Sequence, residues 1–396
     1  MSVITRLLER KVLGPLVLGL AATGLVAVPG SAFASSHTPP VIGHVYLDGN
    51  TTGENTIAAY NRAADGSLTP TPGSPFVAGG AGLGAGLGSQ GAIQLADNGR
   101  FVLTVDAGSN QISVLRTNPV GSLSQVPGSP VSSGGIKPVS IAVHNNLVYV
   151  ANDGNATNSA NYTGFYLTPS GRLFQLPHST VNAPGADNDL GDVLFNSTGT
   201  NLIGTEVGPS LIDSFSVDPV GYLHAASGSP FAGQGLGAFG SAFSPTKSNQ
   251  LFVTNPHNVG NDASTVSAFS VARNGSLLSI GSSPFASLQN GSCWAAVTPN
   301  GKYLFVVNTG SGTISRFSIS ANGSLTLLGD SPVNDNGGVG GTDDAVSPDG
   351  QNLYINETAA HGVAEMSING GTLTELPGSP IALPASITAS AGVAAS

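Results

Sequence analysis

The chain of 396 residues holds one cysteine, one tryptophan and two methionines, and only 9% of it is charged. With Cys293 as its only cysteine it cannot form a disulfide within itself, so stability has to come from packing. Twelve Lys and Arg stand against 22 Asp and Glu, a net charge of −10. Nucleic acid and anionic membrane are poor partners for such a surface. After residue 34 no apolar run is long enough to span a membrane, and no segment shows a helical period. What is abundant is glycine, 55 residues of it, in a chain of ordinary apolar content. That combination describes a folded, turn-rich protein.

The first 34 residues read as an export signal: Arg6, Arg10 and Lys11, an apolar run from Val12 to Val28, then small residues at Ala32 and Ala34 before the expected cleavage. An uncleaved anchor is the alternative, but a 17-residue run containing Pro15 is short for a span. Cleavage leaves 9 basic residues against 21 acidic ones. The expected product is a secreted, extracellular monomer with a short linker over 35–40 and one domain over 41–396.

A repeat organises that domain. The pattern Gly-x-Leu begins at Gly66, Gly121, Gly171, Gly221, Gly275, Gly323 and Gly371, and a serine follows eight residues later each time, from Ser74 to Ser379. Spacings of 48 to 55 residues suit one four-stranded propeller blade per unit. In "SCWAAVTPNGKYLFVVNTGSGTISRFSISANGSLTLLG", β-branched and aromatic runs alternate with Gly/Asn turn chemistry, giving strands a to d. The first unit starts at its strand b, and the tail "LPASITASAGVAAS" looks like a missing strand a. The expected fold is therefore all-β, a seven-bladed β-propeller with four-stranded blades. Its ring is closed in blade 1 by residues from about 384 to 396.

Aligning the blades puts a polar residue at the end of every strand b: Asp48, Asp106, Asn152, Glu206, Asn255, Asn308 and Glu357. These are expected to ring one mouth of the central channel, or else to cap the turns that follow. A second ring, near the start of strand a, reads Ala92, Ser140, Asp192, Gly240, Trp294, Asp343 and Gly392. Small residues suit a crowded axis; Asp192, Trp294 and Asp343 stand out as candidate ligand contacts. The acidic crossover with Asp187, Asp189 and Asp192 offers carboxylates to a structural Ca²⁺, although solvated loop acids explain it as well. "GLGSQG" from Gly86 to Gly91 fits a dinucleotide fingerprint but precedes a strand, so it reads as a loop. No serine-nucleophile elbow or metal-spaced histidine pair is present, and no assigned metal follows.

"SPDGQNLYI", "TPNGKYLFVVNTGSGTIS" and the recurring "GSL" and "GSP" resemble the lactonase-type seven-bladed propellers, which include 6-phosphogluconolactonases and carboxymuconate-lactonising enzymes. The resemblance implies this fold, a site at the channel mouth and activity on a lactone, in a secreted bacterial branch. Only Lys137 among the basic residues is expected near that mouth, which excludes a phosphorylated substrate such as 6-phosphogluconolactone. Two functions remain. A hydrolase of a neutral cyclic ester would use Glu206 or Glu357 as general base, Trp294 as an apolar wall, and Asn152, Asn255 or Asn308 as oxyanion donors, with Asp192 and Asp343 beside them. A non-catalytic scaffold would bind a glycan, peptide or cation through the same face.

Overall fold

The computed structural model describes residues 40–184, 189–334 and 340–396. The expected signal, the linker up to residue 39 and Asp187 lie outside the described residues. Glycine-bounded runs of β-branched and aromatic residues form strands throughout, and among the described residues there is no helix. Seven antiparallel sheets follow in chain order, and blade 6 shows the plan. Strand a (Ser292–Val297), strand b (Tyr303–Asn308), strand c (Thr313–Ile319) and strand d (Leu325–Pro332) pair in sequence. The a strands of successive blades pack on one another around the axis, making a seven-bladed propeller.

The ring closes as the tail suggests. Strand Gly392–Ala395 pairs antiparallel with Val45–Asp48 of strand b in blade 1. Ser396 N donates to His44 O at 2.8 Å, and the buried Arg62 donates from Nε to Ser396 O at 3.1 Å. Arg62 also pairs with Asp349 of blade 7 at 2.8 Å, so one guanidinium holds both sides of the seam. The core is divided in the same way: most of its seven apolar clusters join two adjacent blades, such as Phe101, Leu103 and Val105 against Ile141, Val148 and Val150, while the one around Trp294 also takes in Val207 and Phe239 near the axis.

The repeated glycine and serine have separate jobs. Each glycine sits at the c–d turn against the preceding blade. A Cβ on Gly171 would lie 2.4 Å from the Phe101 ring, and its φ of +90° disfavours other residues. The serine corrects the four-strand expectation. In six blades the outer strand is split in two, as at Leu123–Gln125 and Val131–Ser132. At the break the serine Oγ replaces the ladder by accepting a strand-c N–H. Ser129 takes Val114 N at 2.7 Å, and Ser74, Ser179, Ser229, Ser283 and Ser379 act alike. Blade 6 alone keeps one outer strand. There a bulge opposite Arg316 and Phe317 carries Ser331 into the ladder beside Ile314.

Candidate functional site

Strand a brings Asp192, Trp294 and Asp343 to the axis, all nearly fully buried. They do not face an open funnel. The crossover from blade 1 to blade 2, residues 78–92, reaches the hub, where Ser89, Gln90 and Gly91 bond the a strands. Trp294 Nε1 donates to Ser89 O at 2.9 Å, and its ring meets Phe239 edge-on with centroids 5.1 Å apart. Gly91 N donates to Asp343 Oδ2 at 3.2 Å, while Gly91 O accepts Ile141 N at 2.9 Å. Gln90 N donates to Gly191 O at 2.8 Å. The Gln90 amide donates to Ser241 O and Ala295 O at 2.8 and 3.3 Å and accepts Ala295 N at 3.0 Å. Glycine is required at 240, because a Cβ there would lie 2.4 Å from the backbone Cys293 O as well as from Gln90 Oε1.

This strap ties blades 3 to 7 together at the hub, with bonds to Ile141, Gly191, Ser241, Ala295 and Asp343. Gln90→Ala strips two carbonyls and one buried N–H of their partner, so thermal denaturation should show a loss of about 1–3 kcal/mol. An unchanged melting temperature would mean that the strap carries no load.

Burial dominates the electrostatics. It raises Asp192 and Asp343 to about 7. Asp192 accepts Ser241 N and Oγ at 3.1 and 2.8 Å and Ser140 Oγ at 3.2 Å, so its oxygens are already committed to the hub. Asp189, by contrast, is exposed. Among the described residues no three His, Cys, Asp or Glu side chains form a metal-holding group. Lys137 pairs with Asp153 at 2.6 Å. Burial pushes the Cys293 thiol up to about 12, leaving it protonated and unreactive.

At the strand-b ends Asn152, Asn255 and Asn308 turn their side chains into their own blades, while Asn55 Nδ2 donates to both Asp48 and Asp106, across blades 1 and 2. Asn308 Nδ2 donates to Thr313 Oγ1 and Ser315 Oγ at 3.0 and 2.9 Å. Asn255 bonds Thr265 and Ser267, and Asn152 bonds Ser133 O and Asn161. Each thereby caps the turn from strand b to strand c. Glu206 is buried and bonds Asp213, which accepts Tyr162 Oη at 2.8 Å. Burial lifts Asp213 to about 6. Glu357 is buried under Gly341, where a Cβ would lie 2.8 Å from Glu357 Oε1. The structure therefore brings Asp192, Trp294 and Asp343 together and leaves the two glutamates and three asparagines apart from them. Gln90 has no counterpart in the repeat; its one signal is the length of its glycine-rich crossover.

A family model described as "Lactonase, 7-bladed beta-propeller" matches residues 242–345. No curated protein matches the sequence. Among solved structures, a candidate 6-phosphogluconolactonase of Bacteroides fragilis is 17% identical, with 89% of this chain and 98% of that one covered at a TM-score of 0.67. The periplasmic gluconolactonase of Pseudomonas aeruginosa is 16% identical over 89% and 98% of the two chains, TM-score 0.66. A hypothetical selenium-binding protein of Sulfolobus tokodaii is 12% identical over 91% and 94%, TM-score 0.61. At such identities the likeness is one of fold.

Proposed function

Taking the chain as a lactonase-type seven-bladed propeller, we propose that it is an exported binding platform and that its channel mouth does not hydrolyse lactones. The observation that carries this reading is the hub strap. The side chains that would meet a substrate, Trp294 and Asp343, are bonded to Ser89 and Gly91 of the same chain. A general base must also be ionised and within reach of a water. Glu206 is 1% exposed and hydrogen-bonded to Asp213, and Glu357 is 2% exposed, so neither is within reach of bulk water. A rigid ring with loops on two faces remains, a common frame for recognition. The leader-like residues 1–34 support an extracellular address.

The second reading, hydrolysis of a neutral lactone, is favoured by the family match over residues 242–345 and requires the strap to withdraw. One assay separates the two. Purified protein followed by pH-stat on a panel of γ- and δ-lactones, including gluconolactone, should match buffer alone. Turnover that disappears in Glu206→Gln would establish the hydrolase and overturn the platform.

A further inference from the structure

The face opposite the strap differs in blade 3. In blades 2, 4, 5, 6 and 7 strands a and b are joined by four to six residues, whereas in blade 3 Asn145 and Asn146 alone connect them. The short hairpin leaves a notch, and two clefts open through it. One of about 570 Å³ runs toward blade 2 and one of about 500 Å³ toward blade 4, and both are lined by Asn145, Asn146 and Tyr166. Clefts also lie between blades 1 and 2 and between blades 6 and 7, but neither reaches Tyr166.

Tyr166, on strand c of blade 3 (Asn161–Leu167), is 42% exposed and forms the shared floor. In blades 4, 6 and 7 the turn side chains close their own hairpins: Asn196 accepts Thr200 N, Asn300 accepts Lys302 N and Asp349 accepts Gln351 N. The exposed side chains of Asn145 and Asn146 form no such bond among the described residues. At the blade 2 end Arg100 pairs with Asp97 at 2.5 Å, and the cleft at the blade 4 end is lined by one carboxylate, Asp218, and one guanidinium, Arg273. Each end thus carries one charge of each sign, which gives neither a polyanion nor a polycation an advantage.

We propose that this trough across blades 2, 3 and 4 binds a neutral oligosaccharide, with Tyr166 stacking on one sugar ring and Asn145 and Asn146 bonding its hydroxyls. The proposal rests on the binding-platform reading and names its site and ligand class. A pyranose offers an apolar C–H face to an aromatic ring and a rim of hydroxyls that both donate and accept, which matches primary amides with both capacities uncommitted. Two joined clefts of this volume take several sugar units.

The test is calorimetric titration of the whole protein with maltohexaose, cellohexaose and N-acetylchitohexaose, using trigalacturonic acid as the acidic control. At least one neutral hexasaccharide should bind. Tyr166→Ala should weaken it about tenfold or more, Tyr166→Phe should retain it, and Asn146→Ala should weaken it. Because Tyr166 is exposed, an unchanged melting temperature is expected for Tyr166→Ala and shows that the fold is intact. Binding by none of the hexasaccharides, equal binding by Tyr166→Ala, or tighter binding of trigalacturonic acid overturns the trough. Those results leave the platform reading standing, whereas lactone turnover overturns that reading whatever the sugars do.

Discussion

Removing residues 384–396 should leave no soluble monomer that melts cooperatively. The deletion takes away strand Gly392–Ala395 and with it all four residue pairs that close the ring onto Val45–Asp48. It also removes Ile387 and Val393, which are 2% and 4% exposed; burying each is worth about 1.5–3 kcal/mol. Strand b of blade 1 would become a bare inner edge, a template for pairing between chains. Against a net stability of about 5–15 kcal/mol for an ordinary domain, losing these together exceeds what the remaining blades can absorb. Size-exclusion chromatography with thermal denaturation reads the outcome, and a monomer with the parent's melting temperature would show that the ring is not closed by this strand.

The second large effect is a rise in stability on mild acidification. Burial is the first cause of raised carboxyls at Asp48, Asp192, Asp343 and Glu365, all to about 7, and at Asp106 and Asp213, to about 6. Each group takes up its proton at a higher pH in the folded chain than in the unfolded one. Their contribution is therefore complete below about pH 4 and is lost as the pH climbs through about 7. A shift from the ordinary 3.8 to about 7, as at Asp192, corresponds to roughly 4 kcal/mol for one group. Asp349, which Ser347 and Arg62 lower, works in the other direction but is partly exposed and counts for less.

Calorimetry should thus give a melting temperature clearly higher at pH 5 than at pH 8; the reverse order would mean that these carboxylates are ionised in the fold. Asp344 sharpens the test. It is buried opposite Ile355 with no hydrogen bond to either oxygen, and burial with the neighbouring Asp343 raises it further still. Asp344→Asn should therefore stabilise the protein at pH 8 and do little at pH 5.

The fold was legible because its signals are local and repeated. A glycine packed against the neighbouring blade, left-handed in six of the seven units, and a serine that caps a strand-c N–H in six of them, recur at a fixed spacing. The hub was legible only in part. Small residues with Asp192, Trp294 and Asp343 were readable as axial, since only strand a reaches the axis. Their partner was not, because Gln90 bonds Ser241 and Ala295 across 151 and 205 residues of sequence. Glu206 looked like a base because its partners Asp213 and Tyr162 come from strand c and from another blade. The notch in blade 3 is written openly in "HNNL", two turn residues where the other blades have more, but its meaning depends on Tyr166 standing beneath it.

The hub strap also bears on why this ring has seven blades. Ser89, Gln90 and Gly91 together touch strand a or the residue before it in five consecutive blades, so their reach spans the width of the hub. Strand spacing fixes how wide that hub is for a given number of blades. A ring of six would crowd the strap out, and a ring of eight would leave Gln90 short of one side. Residues 89–91 are in this sense a gauge of circumference, and a chain altered by one repeat would have to be altered there too.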